Sequence, residues 1–217
     1  MIKYDGYKDE VLHCARWLSE HGFFGGQLGS KGNVSRIDRE DNQIVITPSD
    51  RSYQSMSPED ICVIDSDLKP VEGVLAPSIE AGMHTGIYRH RPDVNAVVHT
   101  HQVYACVLSL LNQPIPALFD EVTYEIGPAV EIIPYAVSGS RQLNENVISK
   151  LDNGCLCYII QNHGALSLGR NLQQAMKNAE LLEKVAQVYC YALNTGHDIS
   201  LLPESAVQQV MDMRKSR

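Results

Sequence analysis

Positive charge is scarce in this chain: 18 Lys and Arg stand against 26 Asp and Glu, for a formal net charge of -8. That balance gives no general attraction to nucleic acid or to an anionic membrane surface, so an anionic ligand needs a local positive feature such as a metal ion or converging backbone N–H groups. Long apolar runs are missing too. No stretch reaches the roughly 18 apolar residues that span a bilayer. The opening segment MIKYDGYKDEVLHCARWLSE is charged and amphipathic without a signal core, which predicts a cytoplasmic protein with no membrane partner. Cys14, Cys62, Cys106, Cys155, Cys157 and Cys190 lack the spacing of a disulfide framework; in apolar surroundings a free thiol behaves as a small hydrophobe. Repeats, linkers and low-complexity tracts are absent.

What is present is an ordinary globular composition, 44% hydrophobic and 20% charged. A chain of 217 residues can bury about 70% of its potential surface around one core, so a single domain over residues 1–217 is expected. Val11, Leu12, Ala15 and Leu18 recur at helical spacing within residues 7–21. Gly25, Gly26 and Gly29 close that helix. Residues 34–37, 43–47 and 61–65 then read as an antiparallel meander, with Asp41-Asn42 and Pro48-Ser49-Asp50 as turn signals. A helix over residues 79–90 takes Ser78 as N-cap and stops before Arg91-Pro92. Beyond it the pattern predicts strands at 95–101, 130–134 and 155–161 and helices at 103–111, 140–151, 174–193 and 203–213. The fold class is therefore α/β: a three-layer α/β/α arrangement around a central, largely antiparallel sheet, without the regular βαβ units of a nucleotide fold.

His99 and His101 stand two apart at the end of a strand, so both imidazoles point to one side of the sheet. His163 follows the later apolar strand at a strand-to-loop transition, where Gly164 permits unusual backbone geometry. Three imidazoles hold a divalent ion and leave positions open for substrate oxygens; equally, strand-end and turn histidines satisfy the same spacing. Glu80 opens a helix, either as a capping group or as a general base beside a metal. His84, one turn on, packs or supports it. Gly32-Asn33 reads as a turn before a strand or as a backbone nest that receives a substrate oxygen or phosphate.

Five segments carry a family resemblance: GNVSRI at 32–37, ITPSD at 46–50, EGVLAPSIEAGMHTGIYRHRPDVNAVVHTH at 72–101, YAVSGSRQL at 135–143 and QNHGALSLG at 161–169. In order and over nearly the whole chain, they resemble the class II aldolase and adducin family, especially its fuculose-1-phosphate aldolase branch. The resemblance implies one divalent metal per subunit, Zn²⁺ or else Mn²⁺, Fe²⁺ or Co²⁺, on His99, His101 and His163, with Glu80 as the acid/base carboxylate. It implies a C4 homotetramer with sites at subunit interfaces and cleavage of a small ketose or ketose 1-phosphate through a metal-stabilised enediolate. Decarboxylation of a 3-oxo sugar acid, dehydration or epimerisation of a ketose phosphate, and an adducin-like interaction module are the alternatives within the family.

Three departures bear on substrate. The family's phosphate pocket uses Gly-Asn, a Thr-Gly and two serines; here Gly32, Asn33 and Ser78 match, while Ser49-Asp50 replaces Thr-Gly and Ile79 replaces the second serine. Asp50 adds like charge, which neighbouring Arg51 can neutralise. The tyrosine that serves the aldehyde oxygen falls at Asp120, with Glu121 next and Tyr124 about a helical turn on. The C-terminal tyrosine of the family has no counterpart in DMRKSR.

Overall fold

The amphipathic segment near the start forms α1 (Asp5–Glu20) and buries Val11, Leu12, Ala15 and Leu18 along one face. The computed structural model describes residues 3–25 and 32–216; Gly26 and Gly29, expected to close this helix, lie outside the described residues. The meander follows as expected, with β1 (Asn33–Asp38), β2 (Gln43–Ile46) and β3 (Cys62–Asp65) all antiparallel. Asn42 makes the first turn at φ 57°, a conformation Asn tolerates better than most residues. A short β4 (Pro70–Glu72), not foreseen from the sequence, adds to the edge.

The next helix, α2 (Ala81–His90), starts later than its sequence pattern suggests, and Glu80 rather than Ser78 occupies the N-cap place. Ser78 Oγ instead accepts the Glu80 N–H at 3.2 Å. β5 (Ala96–Thr100) and α3 (Val103–Leu111) follow, and α3 ends on Asn112 in the left-handed region. Unforeseen from the sequence is α4 (Asp120–Ile126). After β6 (Glu131–Ile133), α5 (Arg141–Ile148) is capped by Ser140, whose Oγ accepts the Leu143 N–H. β7 (Cys157–Ile160) does not run into a loop at His163. Residues 161–163 turn it back, through Asn162 at φ 55°, into β8 (Gly164–Gly169), which the sequence reading missed. The long α6 (Leu172–Asn194) and α7 (Glu204–Lys215) complete the chain.

The eight strands of the described residues join one sheet in the order β4-β3-β2-β1-β5-β8-β7-β6. Only β6 and β7 pair parallel among the described residues. Side chains alternate across this sheet: Val34, Val45, Val63, Ala96 and Val98 pack with α1 and the start of α6, while Ile37, Ile44, Ile46, Ile64 and Val97 pack with α2. Each Val or Ile of this set contributes about 1.5–3 kcal/mol on full burial, and a one-residue slip would send the whole set to the wrong face. The same alternation puts Asn33, Ser35 and His99 on the α2 side. All six cysteines are free. No helix among the described residues is long and apolar enough to cross a membrane.

Candidate metal centre

Strand pairing assembles the three histidines. β5 supplies His99 and, one residue past its end, His101; β8 pairs with β5 with His99 opposite Leu166, which brings the 161–163 turn and His163 alongside. One ligand atom from each imidazole lies within 4.8 Å of the others. Glu80 reaches across from the start of α2, with Oε2 3.2 Å from His99 Nε2 and Oε1 3.3 Å from His163 Nε2. His101 Nε2 sits 3.0 Å from His99 Nε2.

These spacings test the site against a metal. Ligands about 2.0–2.1 Å from a tetrahedral ion stand about 3.3 Å from one another, and the Glu80–His99, Glu80–His163 and His99–His101 atom pairs stand near that separation already. His99 Nδ1 donates to the Ala165 carbonyl at 2.9 Å, so its Nε2 turns a lone pair inward, as metal-binding imidazoles held by a backbone acceptor do. Gly164 is required for a different reason from the one its sequence position suggests. Its φ is not positive; a Cβ there would lie 2.4 Å from the Thr100 carbonyl oxygen and 2.6 Å from the His101 ring.

The protonation states suit a cation. Burial pushes the Glu80 carboxyl upward, but the His99 and His163 imidazoles, with hydrogen bonds from Asn33 and Ser138, outweigh it and hold the group at about 2. Burial, reinforced by His99 and opposed by Glu80, pushes the His163 imidazole down to about 4. An ionised carboxylate beside a neutral imidazole is what metal binding demands near neutral pH. Asn33 Nδ2 donates to Glu80 Oε2 at 2.7 Å and Ser138 Oγ to Oε1 at 2.8 Å. The carboxylate is thus tied down by β1 and by the turn before α5, and it does not cap its own helix.

The other residues singled out from the sequence fall into two groups. Around Glu80, Ser49 Oγ donates to the Pro77 carbonyl and accepts the Ile79 N–H, which laces residues 47–50 to 77–79. Asp50 adopts φ 51°, which explains why the family pattern has glycine there, and both Asp50 and Arg51 are exposed. Ser78 is buried and Ile79 projects outward, 68% exposed. Gly32 leaves no room for a side chain, because a Cβ would lie 2.3 Å from the Phe24 ring and 2.6 Å from the His99 carbonyl oxygen. The second group sits elsewhere. Asp120, Glu121 and Tyr124 lie on α4, with Glu121 lining a cavity against Leu181, Lys184 and Val188 of α6. Among the described residues no hydrogen bond or ion pair joins the three to the histidines or Glu80.

Sequence reading missed Ser138, Ser35, Tyr88 and the Ala165 carbonyl. The signal for Ser138 lay in the YAVSGSRQL segment, whose glycine, Gly139 at φ 72°, folds the turn onto Ile79. For Ser35 and Tyr88 it lay in spacing, as extensions of the Asn33 and Glu80 rows.

Residues 9–190 match the family model of the Class II Aldolase and Adducin N-terminal domain. The chain belongs to this family. It is 35% identical over 188 residues to an L-fuculose phosphate aldolase of Escherichia coli O6:H1, a match covering 87% of this chain and 86% of that one. A 5-deoxy-D-ribulose 1-phosphate aldolase of Bacillus thuringiensis serovar kurstaki is 33% identical over 183 residues, 84% of each chain. A solved L-fuculose 1-phosphate aldolase superposes with a TM-score of 0.87 at 32% identity, covering 96% of this chain and 95% of that one. This class II aldolase-family protein is accordingly an enzyme, a lyase of the divalent-metal-dependent type.

Proposed function

We propose that this enzyme cleaves a small ketose 1-phosphate into a three-carbon ketone phosphate and an aldehyde, with Glu80 moving the proton at the carbon beside the carbonyl. The observation that carries the reading is the Glu80 carboxylate: ionised, buried, fixed by Asn33 and Ser138, and 3.2 and 3.3 Å from the Nε2 atoms of His99 and His163. Relatives named for L-fuculose phosphate and 5-deoxy-D-ribulose 1-phosphate support the substrate class, since both are ketose 1-phosphates. His99, His101 and His163 would hold the metal, and three imidazoles with a carboxylate suit Zn²⁺ best. Imidazole also accepts Mn²⁺, Fe²⁺ and Co²⁺. When bound, the ion supplies electrophilic stabilisation of the charge that develops on the substrate's oxygens.

In the condensation direction Glu80 takes the proton from the carbon next to the carbonyl, and in cleavage it returns that proton after the carbon–carbon bond parts. The phosphate would rest against the Gly32 and Asn33 backbone, Ser49 and Ser78, with Arg51 offsetting Asp50 and Ile79 shaping the mouth. The aldehyde oxygen needs a second proton-transfer group. We assign it to Asp120 or Tyr124, offered across a subunit interface of a C4 homotetramer, because among the described residues no hydrogen bond or ion pair joins α4 to Glu80 of its own chain.

Product formation by the metal-loaded enzyme from matched ketoses, each free and as its 1-phosphate, with 3-oxo sugar acids alongside, tests the reading. Cleavage of the 1-phosphates alone is expected; turnover of the oxo acids with release of CO2 would replace the aldolase reading with a decarboxylase.

A further inference from the structure

Glu80, His84 and Tyr88 are spaced four apart at the start and along one face of α2. Asn33 and Ser35, two apart on β1, face them. The two rows interdigitate into a single chain of contacts: Asn33 Nδ2 to Glu80 Oε2 at 2.7 Å, His84 Nε2 to Asn33 Oδ1 at 2.5 Å, Ser35 Oγ to His84 Nδ1 at 2.6 Å and Tyr88 Oη to Ser35 Oγ at 2.7 Å. Every member is closed off from solvent, with Ser35 and His84 at 0% exposure and the most exposed, Asn33, at 5%.

The direction of each hydrogen follows from the end at the metal centre. An ionised carboxylate only accepts, so Asn33 turns its NH2 toward Glu80 and its carbonyl oxygen toward His84. His84 must then carry its hydrogen on Nε2. Burial, helped by nearby His99 and opposed by Glu80, pushes the His84 imidazole down to about 3, so the ring is neutral and Nδ1 is an acceptor. Ser35 donates to Nδ1, and the Ser35 oxygen is left to accept from Tyr88. All the hydrogens therefore point toward Glu80. A flipped Asn33 amide would set an oxygen lone pair against the carboxylate, and the His84 N–H is what forbids that flip.

We propose that His84 is a positioning residue: locked in its Nε2–H tautomer by Ser35 and Tyr88, it fixes the Asn33 amide and thereby aims the Glu80 carboxylate. The inference rests on the reading of Glu80 as the group that moves the proton.

Its test combines a spectroscopic readout with kinetics. In 15N-histidine-labelled protein, the signal lost in His84→Met is expected to show the neutral Nε2–H tautomer in the wild type; an Nδ1–H tautomer would overturn the proposal. His84→Met is expected to lower kcat about 30-fold with KM within about threefold and metal content unchanged, because misplacing a reacting group by about 1 Å can cost about 100-fold. His84→Gln keeps an N–H toward Asn33 and should recover at least about a third of wild-type kcat, while Tyr88→Phe should lose about threefold. Wild-type kcat in His84→Met, or parallel loss of metal and activity, contradicts positioning. If His84→Met fails to fold, the signal lost in His84→Gln assigns the ring, and its tautomer and the Tyr88→Phe rate decide. Failure of the reaction reading looks different: the wild type turns over no ketose phosphate, yet the Nε2–H tautomer is intact.

Discussion

Glu80 and Asp120 are both carboxylates at the start of a helix, and the molecule treats them in opposite ways. Glu80 is 4% exposed and meets two imidazoles, an amide and a hydroxyl; Asp120 is exposed, and its carboxylate makes no hydrogen bond or ion pair among the described residues. Position on a helix is thus not what sets a carboxylate's surroundings. The difference lies in what stands behind each helix: α2 lies over β1 and β5, which aim Asn33 and His99 at Glu80, whereas the α4 acids stand apart from any such strand end. Within one chain, the half of the site proposed to move the carbon proton has its side chains assembled, and the half proposed to serve the aldehyde oxygen does not.

The sharpest way to break this contrast is to remove each acid in turn. Glu80→Gln should lower kcat about 1,000-fold in ketose phosphate cleavage while the protein retains its metal, since the histidines remain. If it instead loses its metal with its activity, Glu80 belongs to the ligand set alone. Ser138→Ala removes one charged hydrogen bond and should slow turnover about tenfold, with KM little changed in steady-state assays. Asp120→Asn and Tyr124→Phe separate the halves. One of the two should slow cleavage about tenfold, and neither should slow deuterium exchange into the ketone product. Loss of exchange in either would merge the two halves into one.

A smaller effect concerns stability. The His84 and His163 imidazoles are held near 3 and 4 in the folded protein, below the ordinary value of 6.5. Between pH 6.5 and about 4 the unfolded chain takes up protons that the folded protein refuses. Stability therefore falls as pH drops through that window, by up to about 1.4 kcal/mol per pH unit for each histidine, and is unaffected by these groups above it. The depressed Glu80 carboxyl adds a further loss only below pH 4.5. Urea unfolding of metal-free protein should show this slope, and His84→Gln should make it shallower.

Much of this was legible in the sequence. Short extended pieces bounded by the turn signals Asp41-Asn42 and Pro48-Ser49-Asp50, and the apolar run ending in His99-Thr100-His101, placed the strands and two candidate ligands, because residues two apart in a strand share a face. Family segments then joined His163 and Glu80 to them. What stayed hidden depended on partners distant in sequence. β8 was missed because GALSLG, buried throughout, lacks the polar alternation that marks a strand. α4 was missed because a seven-residue helix gives too few turns for a periodic signal. Ser78 looked like the α2 cap until the bridge between Pro48 and Pro77 drew its segment onto β2's end and moved the helix start to Glu80. The bonds from Asn33 and Ser138 to one carboxylate span 47 and 58 residues, which no local pattern reveals.

The most direct test of the account is solvent deuterium incorporation into dihydroxyacetone phosphate, without aldehyde, by metal-loaded wild type, Glu80→Gln and Asp120→Asn. The account predicts exchange of a single hydrogen by the wild type and by Asp120→Asn, and loss of exchange in Glu80→Gln. Exchange at the wild-type rate in Glu80→Gln would show that another group moves the carbon proton.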